Sequence, residues 1–369
     1  MSNILIINSG STSIKYKLFD ESENEIKGGE FAGVDNHEKT IKNVLREAGE
    51  WANIMAVGHR VVHGGGVFFS PVLVDEKVIE KLEAFNCLAP LHNPYNLVGI
   101  KAVKNYLPEI KQIAVFDTAF YADLPEVARE YALPEEIREK YKIRRFGFHG
   151  ISHRFAMEEA ARELGKPVGK IHSVKSRLLG GSQSEFHGVN LISCHLGGGW
   201  SVTAVKNGKA ADTSMGWTPM EGLIMMTRGG DLDPGIVIEL IKRSPSYLGD
   251  EKCEEVYDLL NHKSGIKGLS GGINDYQKLL RELTLGNKKA KLAFDAAIYR
   301  LSKYIAAYWA VLGGKVDAVV FTGAIGAGNP ITRNEVMKKL KCLGDIPALA
   351  VKTNEELAIM REVMNLLAQ

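Results

Sequence analysis

Residues 4–20 read ILIINSGSTSIKYKLFD. Ile4 to Ile7 form an apolar run, a Ser/Gly segment follows, and Ser13 to Phe19 mix apolar and polar positions again. Two such runs separated by small turn residues are the pattern of two strands around a turn. Residues 190–208, NLISCHLGGGWSVTAVKNG, repeat the order of apolar strand, glycine turn and second strand. A hairpin of the same kind in each half of the chain predicts a duplicated fold.

Outward from these hairpins, strand and helix patterns alternate. Glu25 to Val34 reads as a third strand, Lys39 to Glu50 has helical spacing, and Ile54 to His63 reads as a buried strand ending in Gly64-Gly65-Gly66. Glu76 to Phe85 and Asn96 to Tyr106 read as helices, and Gln112 to Phe116 as a short apolar strand with Asp117 at its end. Ser152 to Leu164 reads as a helix with Ser152 as its N-cap. Gly169 to Gly188, rich in Ser, Gly and Lys, reads as a surface insertion. Tyr276 to Leu312 reads as two helices joined near Gly286-Asn287. Asp317 to Thr322 reads as a buried strand opening into Gly323 to Asn329, and Asn354 to Leu367 as a closing helix. The class is therefore α/β, and 369 residues suggest two domains.

Hydrophobic residues make up 45% and charged residues 24%, the balance of a globular chain large enough to need no staples. Lys plus Arg number 46 against 44 Asp plus Glu, so the net charge of +2 gives no reason to expect a nucleic-acid or membrane-surface partner. The basic runs Lys142 to Arg145 and Lys338 to Lys341 read as solvated surface. Cys87, Cys194, Cys253 and Cys342 form no CxxC pair and read as buried thiols in a reducing compartment. The N-terminus has no basic segment ahead of its apolar run, and the stretch near Ile305 to Gly314 is about half of what a membrane span needs. The expected location is cytoplasmic.

Phosphate-loop and dinucleotide signatures are missing. Yet three glycine-rich turns each follow an apolar strand: Ser9 to Ser13, Gly197 to Gly199, and Gly323 to Gly328. Glycine lets backbone N–H groups turn toward an anion with no Cβ in the way. Any one of these is an ordinary tight turn; three at strand ends favour a nucleotide cradle, with Lys15, Ser11 and Ser13 adding charge and donors. Arg60 and Arg228 each sit beside glycine, and a guanidinium suits a carboxylate or a phosphate. His92, His149 and His153 cluster with Gly and Pro. The i,i+4 spacing of His149 and His153 lacks the glutamate of a zinc helix, so a hydrogen-bonding role toward an anion fits better. Asn8, Asp117 and Glu355 lie at or near strand ends, and their oxygens suit Mg2+.

The run Asn8 to Lys15 resembles the opening signature of the acetate kinases, and Phe146 to His153 resembles their second signature. The likeness continues through Gly58 to Gly65, Leu88 to Pro94, Val115 to Phe120, Asp212 to Pro234 and Thr353 to Leu357. The resemblance implies two duplicated domains of the actin, Hsp70 and sugar-kinase kind with a ribonuclease H-like core, clamping a nucleotide between them. On this reading residues 1–118 plus 356–369 form the N-terminal domain, and residues 119–355 the nucleotide-binding domain. It implies a homodimer and a reversible, Mg2+-dependent transfer (Mn2+ as substitute) from ATP to acetate, giving acetyl phosphate and ADP. Carried over, Asn8 and Glu355 hold the metal; Lys15, Ser11 and Ser13 face the phosphates; Arg60 holds the substrate carboxylate. Asp117 is the catalytic aspartate, His149 and Arg228 stabilise the transition state, and His92 lies near the phosphoryl group. Val62, Leu91, Phe148 and Pro219 line the apolar acceptor pocket. His195, Leu196, Gly197, Gly198, Gly199, Asp275, Tyr276, Gln277, Ala324, Ile325, Gly326, Ala327 and Gly328 line the nucleotide.

Chemistry shapes the expected mechanism. A carboxylate is already ionised at neutral pH, so no general base is required. Asp117 is then an orienting or metal-linked group, and catalysis rests on in-line positioning and charge neutralisation by Arg60, Arg228, His149 and the metal. Val62 leaves little room beyond a methyl group, though one methylene is worth only about 1–3 kcal/mol. Departures from the family pattern at Gly198-Gly199-Trp200, at Ala324 to Gly328 and at Gln277 all fall on the nucleotide side. The alternatives are therefore a propionate or butyrate kinase, a relative using pyrophosphate or another nucleotide, and a non-catalytic nucleotide-binding switch.

Overall fold

The computed structural model describes residues 3–11, 13–49, 53–90, 92–168, 188–244 and 249–369. Most of the stretch expected as an insertion, residues 169–187, lies outside them. The chain divides into two compact units. One comprises residues 1–122, 148–155 and 354–369; the other comprises residues 123–147 and 156–353.

The first unit holds strands β1 (Asn3–Ser9), β2 (Ser13–Asp20), β3 (Glu25–Ala32), β4 (Ile54–Val61), β5 (Val72–Leu73) and β6 (Lys111–Phe116). Their order is β3-β2-β1-β4-β6-β5. The first three strands are antiparallel, whereas β1, β4 and β6 run parallel. The second unit holds β7 (Leu191–Leu196), β8 (Trp200–Lys206), β9 (Lys209–Thr213), β10 (Ala318–Thr322) and β11 (Ala348–Ala350), in the order β11-β10-β7-β8-β9. Again the first three are antiparallel and β7, β10 and β11 parallel. With the two-residue edge strand β5, which pairs antiparallel with β6, set aside, each sheet has its third, second, first, fourth and last strands in the same order and with the same polarity. This is the duplication that the two hairpins announce.

Burial on both faces explains the continuous apolar run of β1. Leu5 and Ile7 pack with Ile41 and Val44 of the helix His37–Gly49 and with Val103 of the helix Asn93–Tyr106. Ile4 and Ile6 point the other way. They pack with Ala56, Ile113 and Val115 against Ile359, Met360 and Val363 of the C-terminal helix Glu355–Leu367. Gly58 makes this contact close: a Cβ there would meet Ile6 Cδ1 at 2.7 Å and Val363 Cγ2 at 2.8 Å.

Several expectations need correction. The helix expected from Ser152 spans Gly150–Glu163, so Ser152 is a buried interior position and not the N-cap. The Gly150 N–H donates to the Asp117 carbonyl at 3.0 Å, which starts the helix two residues early. The helix expected from Asn96 begins at Asn93, with Pro94 in its first turn. Gly323–Gly328 is a short helix and not an open turn. Of the cysteines, Cys194 is buried while Cys253 and Cys342 are exposed. Among the described residues no helix is long and apolar enough to cross a membrane.

Candidate active site

Arg60 sits one residue before the end of β4, and Asp117 directly follows β6. Parallel register carries Ile7 beside His59 and Arg60 beside Val115. Side chains alternate faces, so Asn8, Arg60 and Asp117 continue the face that carries Ile6, Gly58 and Val115. That face is covered by the C-terminal helix, whose first residue is Glu355. Apolar positions thus bury the sheet, and polar ones take over where the parallel strands end. This is where ligands bind in open α/β sheets.

Arg60 Nε donates to Asp117 Oδ1 at 3.2 Å and Nη2 to Oδ2 at 2.7 Å, a forked pair. Arg60 Nη1 stands 3.3 Å from Glu355 Oε2. Burial alone would lower the guanidinium pKa, but the carboxylates of Asp117 and Glu355 outweigh it, so Arg60 stays protonated. For Asp117, burial is the largest influence and raises the carboxyl pKa. Arg60 pulls it down, and the second carboxylate of Glu355 adds to the rise. The His149 backbone N–H also bonds the Asp117 carboxylate. His149 holds φ +57°, a left-handed conformation that is uncommon outside glycine.

The acceptor-side residues are tied down by groups the sequence reading passed over. Asn93 Oδ1 accepts from the His63 N–H and its Nδ2 donates to the His63 carbonyl, both at 3.1 Å. Asn96 Oδ1 accepts from the Val62 N–H at 3.1 Å, and its Nδ2 donates to the Ser9 carbonyl at 2.6 Å. Their i,i+3 spacing on a helix was the available signal. Val62 and Phe148 are buried, and the Phe148 ring meets the His63 ring edge-on with centroids 5.5 Å apart. His63 Nδ1 accepts from the Gly65 N–H at 2.8 Å, and burial lowers its pKa to about 4, so the ring is neutral. His92 is at the N-cap position of the helix Asn93–Tyr106. Leu91 lies outside the described residues.

In the Ser9–Ser13 turn the Gly10 N–H donates to the Ser13 carbonyl at 2.8 Å. Ser11 is exposed and Ser13 half-buried. Lys15 lies on β2 with its ammonium 3.6 Å from Glu30 across the strands, and both side chains are about half exposed. The Asn8 side chain is half-buried and makes no hydrogen bond among the described residues. An amide oxygen of this kind suits a hard cation such as Mg2+, which takes few protein ligands and keeps waters.

The second unit carries the other candidates in corresponding places. His195 and Leu196 end β7, and Gly197 to Gly199 form a turn closed by Gly197 N–H to Gly199 carbonyl at 3.0 Å. Trp200 explains the departure at this turn. Its fully buried indole donates Nε1–H to the Gly197 carbonyl at 2.9 Å and packs against Tyr276 with ring centroids 5.9 Å apart. Gly323 follows β10 at φ +79°, where a Cβ would meet the Leu196 carbonyl oxygen at 2.5 Å, so the two glycine segments lie against each other. Ala324, Ile325, Gly326, Ala327 and Gly328 complete the short helix, and Arg333 Nη1 donates to the Gly326 and Ala327 carbonyls at 2.8 and 2.7 Å. Asp275 caps the helix Tyr276–Thr284 by accepting from the Lys278 N–H at 2.6 Å, and Gln277 is exposed.

Arg228 stands in the long loop after β9 that also carries the half-buried Pro219. Its Nε is buried with no hydrogen-bond partner, and no carboxylate pairs with it among the described residues. Burial lowers its pKa, with Tyr257 opposing. A desolvated cation without a counter-charge is costly, so this position favours an anion brought from outside. The loop itself is braced. Asp231 Oδ1 accepts from the Gly222 N–H at 2.9 Å, and Tyr304 donates to Asp231 Oδ2 at 2.8 Å. Arg145 Nη2 donates to Glu221 Oε1 at 2.7 Å and Nη1 to the Thr213 carbonyl at 3.2 Å. Arg145 therefore leaves the solvated basic run in which the sequence placed it: its charge is spent inside a loop.

The family model described as the acetokinase family matches residues 27–359. An acetate kinase of Helicobacter acinonychis (strain Sheeba) is 44% identical over 374 residues, covering 92% of this chain and 87% of that protein. The crystal structure of Porphyromonas gingivalis acetate kinase superposes with a TM-score of 0.85 at 33% identity, covering 100% of both chains. That of a propionate kinase from Francisella tularensis subsp. tularensis SCHU S4 does so with 0.85 at 33%, covering 98% and 99%.

Proposed function

The chain belongs to the acetokinase family, and from that premise we propose that it catalyses reversible phosphoryl transfer between ATP and acetate, giving ADP and acetyl phosphate. The observation that carries the reading is the Arg60 guanidinium, forked on Asp117 and paired with Glu355 at the ends of parallel strands. It is a fixed cation with Nη donors to spare for an anionic acceptor.

In this reading Asp117 acts on Arg60. By filling the Nε–Nη2 edge it sets the plane of the guanidinium, so the remaining Nη donors address the acceptor carboxylate in one orientation. Acetate brings no proton to remove, so no base is needed. Arg228 and His149 offer positive charge or hydrogen bonds to the transferring group, and catalysis is positioning plus neutralisation. Lys15, Ser11 and Ser13, with Gly197 to Gly199 and Gly323 to Gly328, are assigned to the nucleotide. Val62 and Phe148 wall the acceptor, with Leu91 and Pro219. Asn8 and Glu355 would hold Mg2+, which when bound screens the phosphate charge.

The full-length likeness to a propionate kinase keeps the three-carbon acid as the second reading. A hydroxamate assay with acetate, propionate and butyrate, crossed with ATP, GTP and pyrophosphate, separates them. Acyl phosphate from acetate and ATP is the expected result; none from any pairing removes the kinase reading. We also propose a homodimer. The helix Pro234–Arg243 has no buried residue, yet Ile236 and Ile238 are 46% and 54% exposed. A monomer in sedimentation would refute that part.

A further inference from the structure

The parallel pairing of β1 with β4 stops at Ile7 and His59. Beyond it, the backbone runs on as two segments with opposite tasks in the reading above: the phosphate-facing turn Ser9–Ser13 and the acceptor-facing segment Val61–His63. Ser9 still pairs with Ile14 of β2 and Val61 with Phe116 of β6, but no ladder bond joins the two segments to each other, so buried polar groups between them must be satisfied otherwise. The first turn of the helix Asn93–Tyr106 does this. Asn96, itself 3% exposed, accepts the Val62 N–H with Oδ1 and donates Nδ2–H to the Ser9 carbonyl. The same side chain thus holds one atom of each segment.

Its neighbours extend the grip. Tyr95 packs on the His37 ring with centroids 4.8 Å apart, and His37 Nε2 lies 2.7 Å from the Gly10 carbonyl. A carbonyl only accepts, so this nitrogen carries the proton. Across a trans peptide the C=O and the next N–H point in opposite directions. Holding the Gly10 oxygen toward His37 therefore aims the Ser11 N–H away from it, as an anion-binding turn requires. Asn93 meanwhile clamps both backbone groups of His63.

We propose that Asn96 is a positioning residue that locks the donor-side turn to the acceptor-side segment, so that both reactants are held in one register. The proposal rests on the assignment of those two segments to nucleotide and carboxylate. In-line transfer is sensitive to small misplacements, of the order of a hundredfold per ångström, so the lock should register in turnover.

The test uses the full chain, with Asn96→Asp, Asn96→Ala and His37→Phe, and measures kcat and both KM values beside a thermal melt. Asn96→Asp keeps the acceptor for the Val62 N–H but sets a carboxylate oxygen against the Ser9 carbonyl. It should raise the nucleotide KM about tenfold and lower kcat about ten- to a hundredfold, leaving the acetate KM within about threefold. His37→Phe should raise the nucleotide KM alone, and Asn96→Ala should raise both. If the variants melt lower yet keep kcat and both KM values, Asn96 is merely structural and the proposal fails. A rise confined to the acetate KM in Asn96→Asp also overturns it. Should Asn96→Ala not fold, the other two variants decide. A wild-type protein that makes no acyl phosphate from any pairing overturns the functional reading and this inference together. An active wild type with indifferent variants overturns this inference alone.

Discussion

Arg60 and Glu355 meet at 3.3 Å, so the fourth strand and the first residue of the C-terminal helix share one half-buried charge site. Arg60 answers two carboxylates, and its removal leaves Asp117 buried without a counter-charge. Breaking a buried pair from one side costs about 3–5 kcal/mol. Arg60→Ala is expected to lower the thermal midpoint clearly and to damage carboxylate use far more than nucleotide binding. Arg60→Lys keeps the charge but loses the fork, and should recover stability better than kcat. Calorimetry with ADP binding in parallel checks both; a collapse of nucleotide affinity would contradict the role given to Arg60.

The two buried histidines of β4 and its exit predict a pH dependence. Burial lowers the pKa of His59 and of His63 from the ordinary 6.5 to about 4. Between those values the unfolded chain binds protons that the folded one refuses, so stability rises with pH. The contribution is present above about pH 6.5 and is lost as pH falls toward 4, by up to roughly 3 kcal/mol per histidine at about 1.4 kcal/mol per unit. Asp117, whose pKa is raised by burial, acts oppositely, its share being lost as pH rises. Urea midpoints at pH 7 and pH 5 should therefore differ, and His59→Asn should flatten the slope.

The fold was legible where residue pattern and burial agree. Ile4 to Ile7 and the echo at Leu191 to Leu196 announced the duplication, Arg60 stood out by its glycine neighbours, and Asp117 and Glu355 by their places at or near strand ends. What escaped is what depends on partners distant in the chain. Ser152 looks like a cap until the Asp117 carbonyl takes the Gly150 N–H. Arg145 looks solvated until Glu221 is beside it. Asn96 reads as a helical residue because nothing local says that Ser9 and Val62 will flank it. Trp200 looked foreign beside glycines, and only the tertiary structure supplies Gly197 and Tyr276 as its partners.

Gly58 offers a test of packing apart from chemistry. A methyl there meets Ile6 Cδ1 and Val363 Cγ2, and Ile359 Cγ2 at 3.1 Å. These are side-chain ends and can shift, so Gly58→Ala should cost about 1–3 kcal/mol as an overpacked core. Because the displaced helix begins at Glu355, kcat should fall as well, by more than Val363→Ala causes at equal loss of stability. Equal kcat at equal stability would show that the helix does not set the position of Glu355.

Arg228 should behave in the reverse sense to Arg60. Its Nε is buried in a residue that is otherwise half-buried, and neither a hydrogen bond to Nε nor a carboxylate offsets its charge among the described residues. The folded chain therefore carries a desolvation cost that a bound anion would relieve. Replacing it with methionine keeps much of the volume and removes the charge. Arg228→Met is accordingly expected to raise the thermal midpoint by a few degrees, while kcat falls at least a hundredfold, as loss of a transition-state charge does. Phosphate should raise the midpoint of the wild type and leave that of the variant unmoved, since the anion then has no cation to relieve. A variant that is both less stable and still shifted by phosphate would mean that Arg228 is a structural residue and that the anion binds elsewhere.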